Sequence, residues 1–366
     1  MKKSLIALAV LASAGSAFAQ SSVTLFGVVD ATLAFGRGNV SNKTALTNSG
    51  YNSSRLGFRG VEDLGGGMSA SFWLEAGLNN DNGTGAGTNT NNQGTGAAAA
   101  AAGGQGLTFN RRSTASLSGG WGEARLGRDY SPQFWNLTVF DPFGTNGVGT
   151  TQTLNSIITG PTAVRASNSI GYFLPANIGG FYGQGQYYLG ENNSNAGVVC
   201  TTPGVPAGCG STSSDGRGYG IRVGYAAGPF NVAGAFSRTR YLAGTVHQSN
   251  LGGQYDFGVA KLMAHVSRDK NGAVTGKGWL IGGLVPVGAG EIRAAYSRYR
   301  TDVVVTEPTA KKFALGYVHN LSKRTALYTT YARVKNSGGA ASFLNGAGGL
   351  ANSSSSGYDF GIRHAF

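Results

Sequence analysis

Arginines at alternating positions are the residues of this chain best placed to do chemistry. Arg55 and Arg59 alternate with Leu56 and Phe58. Successive side chains of a strand point to opposite faces, so both arginines share the face opposite the apolar residues. An arginine facing lipid at mid-depth would cost about 2–4 kcal/mol, and a water-filled lumen removes most of that cost. Rows of arginine beside narrow water favour anions, although each one could instead be a rim residue at the headgroups.

The other reactive residues form no catalytic or metal-binding pattern. His247, His265, His319 and His364 lie far apart in the chain and lack the spacing of metal ligands. No Gly-x-Ser-x-Gly segment stands between a strand and a helix, where a hydrolase nucleophile would lie. We therefore expect no catalysis, no cofactor and no metal.

The chain begins with the pattern of a secretory signal peptide. Met1-Lys2-Lys3 is basic, an apolar run follows, and Ala17-Phe18-Ala19 is a small-x-small cleavage site. We expect cleavage before Gln20, which leaves one domain over 20–366 that works outside the cytoplasm. No later apolar stretch reaches 18 residues, so no transmembrane helix is expected.

Two cysteines lie in one polar loop rich in Gly, Ser, Thr and Pro. They are Cys200 and Cys209. An exported protein meets oxidising conditions, so we expect the two to form a disulfide. The loop that this bond closes is short, which limits its contribution to about 2–3 kcal/mol in the chain-entropy model.

Strands with period-two alternation must position these residues, and the last strand shows the pattern most clearly. Tyr358, Phe360 and Ile362 fall on one side, and Asp359 and Arg363 fall on the other. A half-apolar strand at a free terminus would be an adhesive edge, and closure into a barrel removes that edge. Taken alone, the pattern also fits a surface strand of a soluble β-sandwich.

The connections between strands alternate between tight turns and mostly long, polar loops. Seven turns and eight loops predict an all-β, 16-stranded antiparallel transmembrane barrel with short periplasmic turns and long outer loops. A short helix could follow Pro132. The turns are 62–67, 119–122, 176–180, 227–229, 256–258, 287–290 and 320–324; the loops are 36–53, 79–108, 131–164, 190–216 and 336–355, with shorter ones near Leu242, Asn271 and Val305.

The net charge of +13 favours an anion-attracting pore over a nucleic-acid-binding protein. Nucleic-acid binding would favour a clustered basic patch or tail. Here the basic residues are scattered singly along strands, which suits the wall of a pore. We expect no nucleic-acid partner.

Short segments along the chain also carry a family resemblance. In order they are Ser54-Arg55-Leu56-Gly57-Phe58-Arg59-Gly60-Val61-Glu62-Asp63-Leu64-Gly65, Phe109-Asn110-Arg111, Leu126-Gly127-Arg128, Arg165 with Asn168-Ser169-Ile170, and Ile362-Arg363-His364-Ala365-Phe366. Together they resemble Gram-negative general porins, and the closing segment is similar to the end of porins from beta-proteobacteria. The resemblance covers essentially the whole mature chain.

The resemblance implies a homotrimer of barrels, each with its third outer loop, 131–164, folded into the lumen. The predicted constriction residues are Arg55, Arg59, Arg111, Arg128, Arg165 and Asp141. In the family, the tip of this loop carries an acidic residue directly after a proline. In this chain the matching acidic residue is Asp141, which comes directly before Pro142. Arg111 and Arg112 are adjacent and cannot both point inward in a regular strand, so we expect Arg111 inside. Arg128 needs a bulge near Gly127 if Leu126 faces out.

These patterns predict a passive diffusion pore in the outer membrane for small hydrophilic solutes and ions, with a preference for anions. A substrate-selective channel would need a ladder of lumen aromatics, of which only Tyr182 and Tyr188 are evident. A barrel enzyme or an adhesin are further alternatives. The expected partners are outer-membrane lipids, lipopolysaccharide, small anions, and the assembly machinery that reads the C-terminal strand. The small residues Gly27 and Ala31 are expected to allow close packing between barrels.

Overall fold

The computed structural model describes residues 22–89, 91–94, 106–176, 178–194, 196, 198–200, 209–211, 213–303 and 305–366. The predicted signal peptide, 1–19, lies outside the described residues.

Strands account for most of the described chain, with one α-helix and one 3-10 helix. Their bounds are β1 Ser22–Arg37, β2 Lys43–Asn48, β3 Arg55–Gly65, β4 Met68–Asn79, β5 Thr84–Gly85, β6 Arg112–Gly119, β7 Gly122–Tyr130, α1 Pro132–Val139, the 3-10 helix Gln152–Asn155, β8 Arg165–Phe173, β9 Phe181–Tyr188, β10 Val198–Cys200, β11 Cys209–Ser211, β12 Arg217–Ala227, β13 Phe230–Tyr241, β14 Gly244–Asp256, β15 Lys261–Asn271, β16 Val274–Val287, β17 Gly290–Asp302, β18 Thr309–Asn320, β19 Thr325–Ser337 and β20 Ser354–Ala365.

One antiparallel sheet of 18 strands closes on itself because β1 pairs with β20. Two of these strands do not add a further strand to the barrel wall. β2 and β3 pair with successive parts of β1, so they occupy one position in the wall, and β5 pairs only with β4. The remaining 18 − 2 = 16 strands form the barrel wall. The predicted 16-stranded barrel is confirmed. Short connections follow β3, β6, β8, β12, β14, β16 and β18, and the outer loops follow the other strands.

Alternation along each strand sets the two faces of the wall. In β12, Tyr219, Ile221 and Val223 are exposed, whereas Gly220 and Arg222 are buried. The outward residues would contact lipid, and the inward residues contact loops or lumen water. The sequence pattern therefore separates lipid-facing from lumen-facing side chains.

The last strand closes the barrel against the first. β20 pairs with β1 from Val28 opposite Ala365 to Arg37 opposite Ser356. Phe366 and Gly27 then exchange two backbone hydrogen bonds, 3.0 and 3.1 Å long. Gly27 was expected to admit a neighbouring barrel, but the ring of Phe366 fills the space beside it. That part of the packing argument is wrong.

The third outer loop, residues 131–164 and named L3 here, folds into the lumen. The predicted helix after Pro132 is α1, which packs against β12, β13 and β14. The 3-10 helix Gln152–Asn155 packs against β16 and β17. Among the described residues, no helix is both long enough and apolar enough to cross a membrane.

Candidate functional site

L3 is fixed against one side of the barrel interior. In α1, the side-chain amide of Asn136 donates a hydrogen bond to the carbonyl oxygen of Ala233, 2.9 Å away. Further along the loop, the backbone amide of Val148 donates to the carboxylate of Asp359, 2.7 Å away. The two contacts are made to β13 and to β20, so the part of the wall that runs from β13 to β20 supports the loop at both of its ends. L3 therefore narrows the lumen from that side.

Asp141 does not line the lumen. Its exposed fraction is 3%. Its carboxylate accepts hydrogen bonds from the backbone amides of Phe143 (2.9 Å), Thr145 (3.2 Å) and Thr151 (2.9 Å). The expectation of an acid that faces the constriction is wrong, because this carboxylate satisfies the amides of a turn within L3.

L3 consequently presents no charged side chain to lumen water. Asp141 is the only residue of 131–164 that is acidic or basic. Trp135, by contrast, is 38% exposed and borders the lumen cavity. The loop offers apolar and neutral polar groups, so any charge at the narrow region must come from the barrel wall.

On the wall, Glu75 joins three side chains: Arg55 of β3, Trp73 of its own strand β4, and Arg111 just before β6. Its Oε1 lies 2.6 Å from Nε of Arg111 and 3.6 Å from Nη1 of Arg55. Its Oε2 accepts the indole N–H of Trp73 at 3.1 Å. The side chain of Arg55 is 28% exposed, against 10% for Arg111. The structure thus brings two predicted arginines to one carboxylate and leaves the first in contact with water.

Arg111 and Arg112 both turn into the barrel. β6 begins at Arg112, which lies opposite Glu75 in the register with β4. The guanidinium of Arg112 lies 4.7 Å from the ring centroid of Trp73. Arg111 precedes the strand, where regular alternation does not apply. The expectation that only one of the two faces inward is wrong for that reason.

A β-bulge directs Arg128. Leu126 is exposed on the outer face, and the register between β7 and β8 shifts between Gly127 and Asp129. Gly127 has φ +124°, a conformation that residues with a Cβ rarely adopt. The predicted bulge is confirmed. It lets Arg128 donate a hydrogen bond to Oγ of Ser167, 2.6 Å away, instead of facing lipid.

Tyr130 links the arginines to L3. Its hydroxyl oxygen accepts hydrogen bonds from Arg111 (2.5 Å) and Arg165 (2.8 Å). The Arg165 guanidinium also lies 4.4 Å from the Tyr130 ring centroid. The Tyr130 ring in turn stacks on Phe134 of α1, with the ring centroids 5.6 Å apart. Arg165 therefore joins Arg111 through a shared phenol.

Arg59 and Arg125 lie apart from this group, nearer the turn end of the barrel. The guanidinium of Arg59 lies 5.4 Å from the ring of Phe26 and 5.3 Å from that of Trp73. Arg125 forms an ion pair with Glu123 at 2.9 Å. The cation–π contacts of Arg59 hold its guanidinium group in place without neutralising its charge.

A cavity of about 770 Å³ lies between arginines of the barrel wall and L3. Arg55, Arg112, Trp73, Trp135 and Tyr182 are among the residues that line it. Arginines outnumber carboxylates along its lining, where Arg55, Arg112, Arg125 and Arg222 stand against Glu75 and Asp129. We name the arginines described above, together with those of the lining that lie on β3 to β8, the arginine wall; they are Arg55, Arg59, Arg111, Arg112, Arg125, Arg128 and Arg165.

A barrel closed by its last strand, with an inward third loop, agrees with comparison to known proteins. A family model described as Gram-negative porin matches residues 4–339. The chain belongs to the Gram-negative porin family.

Individual porins show how far the likeness extends. The chain is 38% identical over 387 aligned residues to outer membrane porin protein 32 of Delftia acidovorans, with 100% of both chains covered. It is 28% identical over 421 residues to an outer membrane porin protein of Bordetella pertussis, again over 100% of both. A solved anion-selective porin from Comamonas acidovorans superimposes with a TM-score of 0.79 at 34% identity, covering 95% of this chain and 100% of that one.

As a Gram-negative porin, the protein is an outer-membrane channel. The predicted family, fold and location are confirmed. The role of individual residues at the constriction stays a prediction.

Sequence reasoning missed several residues of the porin's interior. Glu75 sits two residues after inward Trp73, so alternation already put it on the lumen face. Tyr130 ends β7 just before L3, where no periodic signal remains. Arg112 was excluded because a regular strand was assumed to include Arg111.

Proposed function

We propose that this porin is a passive, water-filled pore for small hydrophilic solutes and that it prefers anions. The arginine wall supplies the selectivity, and L3 supplies the narrow width. Such a pore needs no catalysis, cofactor or energy source.

The observation that carries this proposal is the one-sided charge of the narrow region. Arg55 and Arg112 border the cavity, while the only charged residue of L3, Asp141, is buried in the loop. An anion passing between them meets cations on one side and no opposing carboxylate on the other. Two carboxylates of the same wall offset part of that charge, because Glu75 is shared by Arg55 and Arg111 and Asp129 lies 3.8 Å from Arg112.

The size of the effect follows from Coulomb's law. Two unit charges about 4 Å apart interact by roughly 4 kcal/mol at an effective dielectric constant of 20. Even about 1.4 kcal/mol of this is a tenfold bias in occupancy. Salt weakens it, since the Debye length falls from about 10 Å at 0.1 M to about 3 Å at 1 M.

Zero-current potentials of the purified protein in planar bilayers test the proposal. Under a potassium chloride gradient near 0.1 M, the potential should have the sign for chloride permeation. The preference should decrease as mean salt rises to about 1 M. A potential with the sign for potassium would contradict the proposal.

The same proposal covers the molecules with which the porin assembles in the membrane. The barrel works as a homotrimer among outer-membrane lipids and lipopolysaccharide. The described outer faces of β3 to β9 carry no lysine or arginine, which supports a subunit contact there. The assembly machinery recognises the aromatic terminal strand that ends in Phe366. Unheated samples from native membranes should migrate as trimers in sodium dodecyl sulfate, and a monomer band would argue against the trimer.

A second candidate is a channel selective for one class of organic anion. Phe26, Trp73, Tyr130, Trp135 and Tyr182 border the interior near the arginines. Tyr188, expected to face the lumen, is fully buried, and its hydroxyl group hydrogen-bonds to that of Thr239. A selective channel would show saturable block of chloride current by its organic anion, whereas a general pore would not.

A further inference from the structure

A segment of the second outer loop, which connects β4 to β6, folds back onto the lumen side of its own barrel. It follows the loop ends of the wall from Arg128 on β7 to Tyr241 on β13. Oδ1 of Asn89 accepts a hydrogen bond from Nη1 of Arg128, 2.9 Å away. A Cβ built on Gly94 would lie 3.0 Å from Cδ1 of Tyr241. We name residues 89 and 91–94 the L2 strap.

Asn92 fixes the strap to the barrel wall and is fully buried. Its Nδ2 donates hydrogen bonds to the carbonyl oxygens of Ser167 (2.6 Å) and Leu189 (2.9 Å). Its Oδ1 accepts a hydrogen bond from the backbone amide of Ser167, 2.8 Å away. The last paired residues of β8 and β9 at this end are Ser169 and Tyr188, so one side chain supplies hydrogen bonds where the ladder stops. Loss of this amide would leave three buried backbone groups without that partner.

Further contacts hold the strap against the wall on the far side of β9. Nε2 of Gln93 donates a hydrogen bond to the carbonyl oxygen of Gly190, 2.6 Å away. The backbone amide of Gly94 donates to Oδ1 of Asp215 at 3.2 Å. Gly216, just before β12, has φ +81°, and a Cβ built on it would lie 2.5 Å from the strap backbone. The strap therefore lies directly against the wall, with no space for a side chain between the two.

The strap and the last part of L3 border one opening. A cavity of about 540 Å³ is lined by Asn89 and Gly94 of the strap and by Gly160 and Pro161 of L3. Tyr241 also lines it, beside the strap. The strap belongs to an outer loop, and its wall contacts lie at the loop ends of the strands. Solutes that enter from the loop side therefore pass the strap.

The strap differs from the arginine wall in its charge. Residues 84–94 contain no acidic or basic side chain. The strap presents amides and backbone groups, which do not sort cations from anions. Pore diameter is the remaining basis on which such a segment can select solutes.

We propose that Asn92 is a positioning residue that sets the size limit of the outer vestibule by holding the L2 strap in place. This inference rests on the proposed passive pore, in which L3 supplies the narrow width, and it adds a wider filter on the loop side. Release of the strap admits larger neutral solutes to the vestibule and leaves the charge of the arginine wall unchanged. Arg128 keeps its hydrogen bonds to Oγ of Ser167 and to the carbonyl oxygen of Asn110.

Single-channel conductance with neutral polyethylene glycols of graded size, added to one side of oriented channels, tests the proposal. A polymer that enters a mouth of the pore lowers the conductance, whereas an excluded polymer does not. In Asn92→Ala, the size cut-off from the loop side should shift to larger polymers, and the cut-off from the turn side should stay at the wild-type value. Asn91→Ala is the matched control, because its Oδ1 accepts a hydrogen bond within the strap, from the backbone amide of Gln93. It should keep both wild-type cut-offs.

Heat-modified migration establishes that each variant is folded. If Asn92→Ala does not fold, Gly216→Ala displaces the strap from the opposite side and should shift the loop-side cut-off in the same direction. Gly272→Ala is its control, because Gly272 also has a positive φ, +60°, and a Cβ there meets nothing within 4 Å.

An unchanged loop-side cut-off in the folded strap variants overturns the proposal. So does an equal shift from the turn side, or an equal shift in the matched controls. Zero-current potentials separate this proposal from the proposed ion preference, since the strap variants should keep the wild-type potential. A wild-type protein that prefers potassium would contradict the ion preference and leave the assignment of the strap standing.

Discussion

The ring of Phe366 lies where Gly27 would carry a side chain. A Cβ built on Gly27 would be 2.8 Å from Cε2 of Phe366 and 2.8 Å from the backbone oxygen of Arg55. The two residues also exchange backbone hydrogen bonds across the closing seam. The terminal aromatic residue and the glycine are therefore two halves of the barrel closure.

Replacing Gly27 with alanine should weaken that closure. Overpacking of a filled site costs about 1–3 kcal/mol, so the heat-modification midpoint should fall. Gly234→Ala is a matched control, because a Cβ there meets nothing closer than 3.8 Å. Gel shifts of both variants over a temperature series measure the effect. Equal midpoints for the two variants would contradict it.

Asp141→Asn should change the behaviour of L3 without changing ion preference. The substitution weakens hydrogen bonds to three backbone amides, so single-channel current noise should rise. The zero-current potential should stay at the wild-type value because the carboxylate does not face lumen water. A clear increase in anion preference would show that Asp141 acts at the constriction after all.

Glu75→Gln should increase the preference for anions. The substitution removes the carboxylate that Arg55 and Arg111 share and leaves both guanidinium groups charged. Zero-current potentials near 0.1 M potassium chloride measure the change. A decrease in anion preference would mean that Glu75 mainly positions the two arginines. Glu291→Gln, which affects a pair with Arg293 elsewhere in the interior, serves as the control.

Cys200 and Cys209 should form a disulfide. β10 and β11 place the two residues directly opposite in backbone register, while their side chains lie outside the described residues. Opposed residues of such a ladder have Cα atoms about 4.5–5.5 Å apart, within the usual range for a disulfide. Mass spectrometry of unreduced peptides should find the cross-link, and two free thiols would refute it. A Cys200→Ser variant should conduct normally, because this ladder is separate from the barrel sheet.

Sequence alone predicted the features that depend on the alternation of apolar and polar residues along strands and on the positions of turns and loops. Arg55 could be assigned to the lumen because Arg55 and Arg59 alternate with the apolar residues Leu56 and Phe58. The bulge at Gly127 followed from the conflict between Leu126 and Arg128. Alternation carries this information because each strand has one lipid face and one water face.

Features of irregular segments could not be predicted in the same way. Arg111 precedes its strand, so no alternation fixes its direction. Asp141 lies in a turn whose backbone amides compete for its carboxylate, and a motif position does not reveal that competition. The contact of Gly27 with Phe366 joins the two ends of the chain and depends on strand register.

The zero-current potential of Arg55→Gln with Arg111→Gln tests the central claim most directly. We predict that the ratio of chloride to potassium permeability near 0.1 M salt falls about threefold or more. Arg217→Gln with Arg240→Gln removes the same charge from the outer face and should leave the ratio unchanged. Trimer bands in unheated gels confirm assembly of both variants. A lumen variant that keeps the wild-type ratio would contradict the assignment of selectivity to the arginine wall.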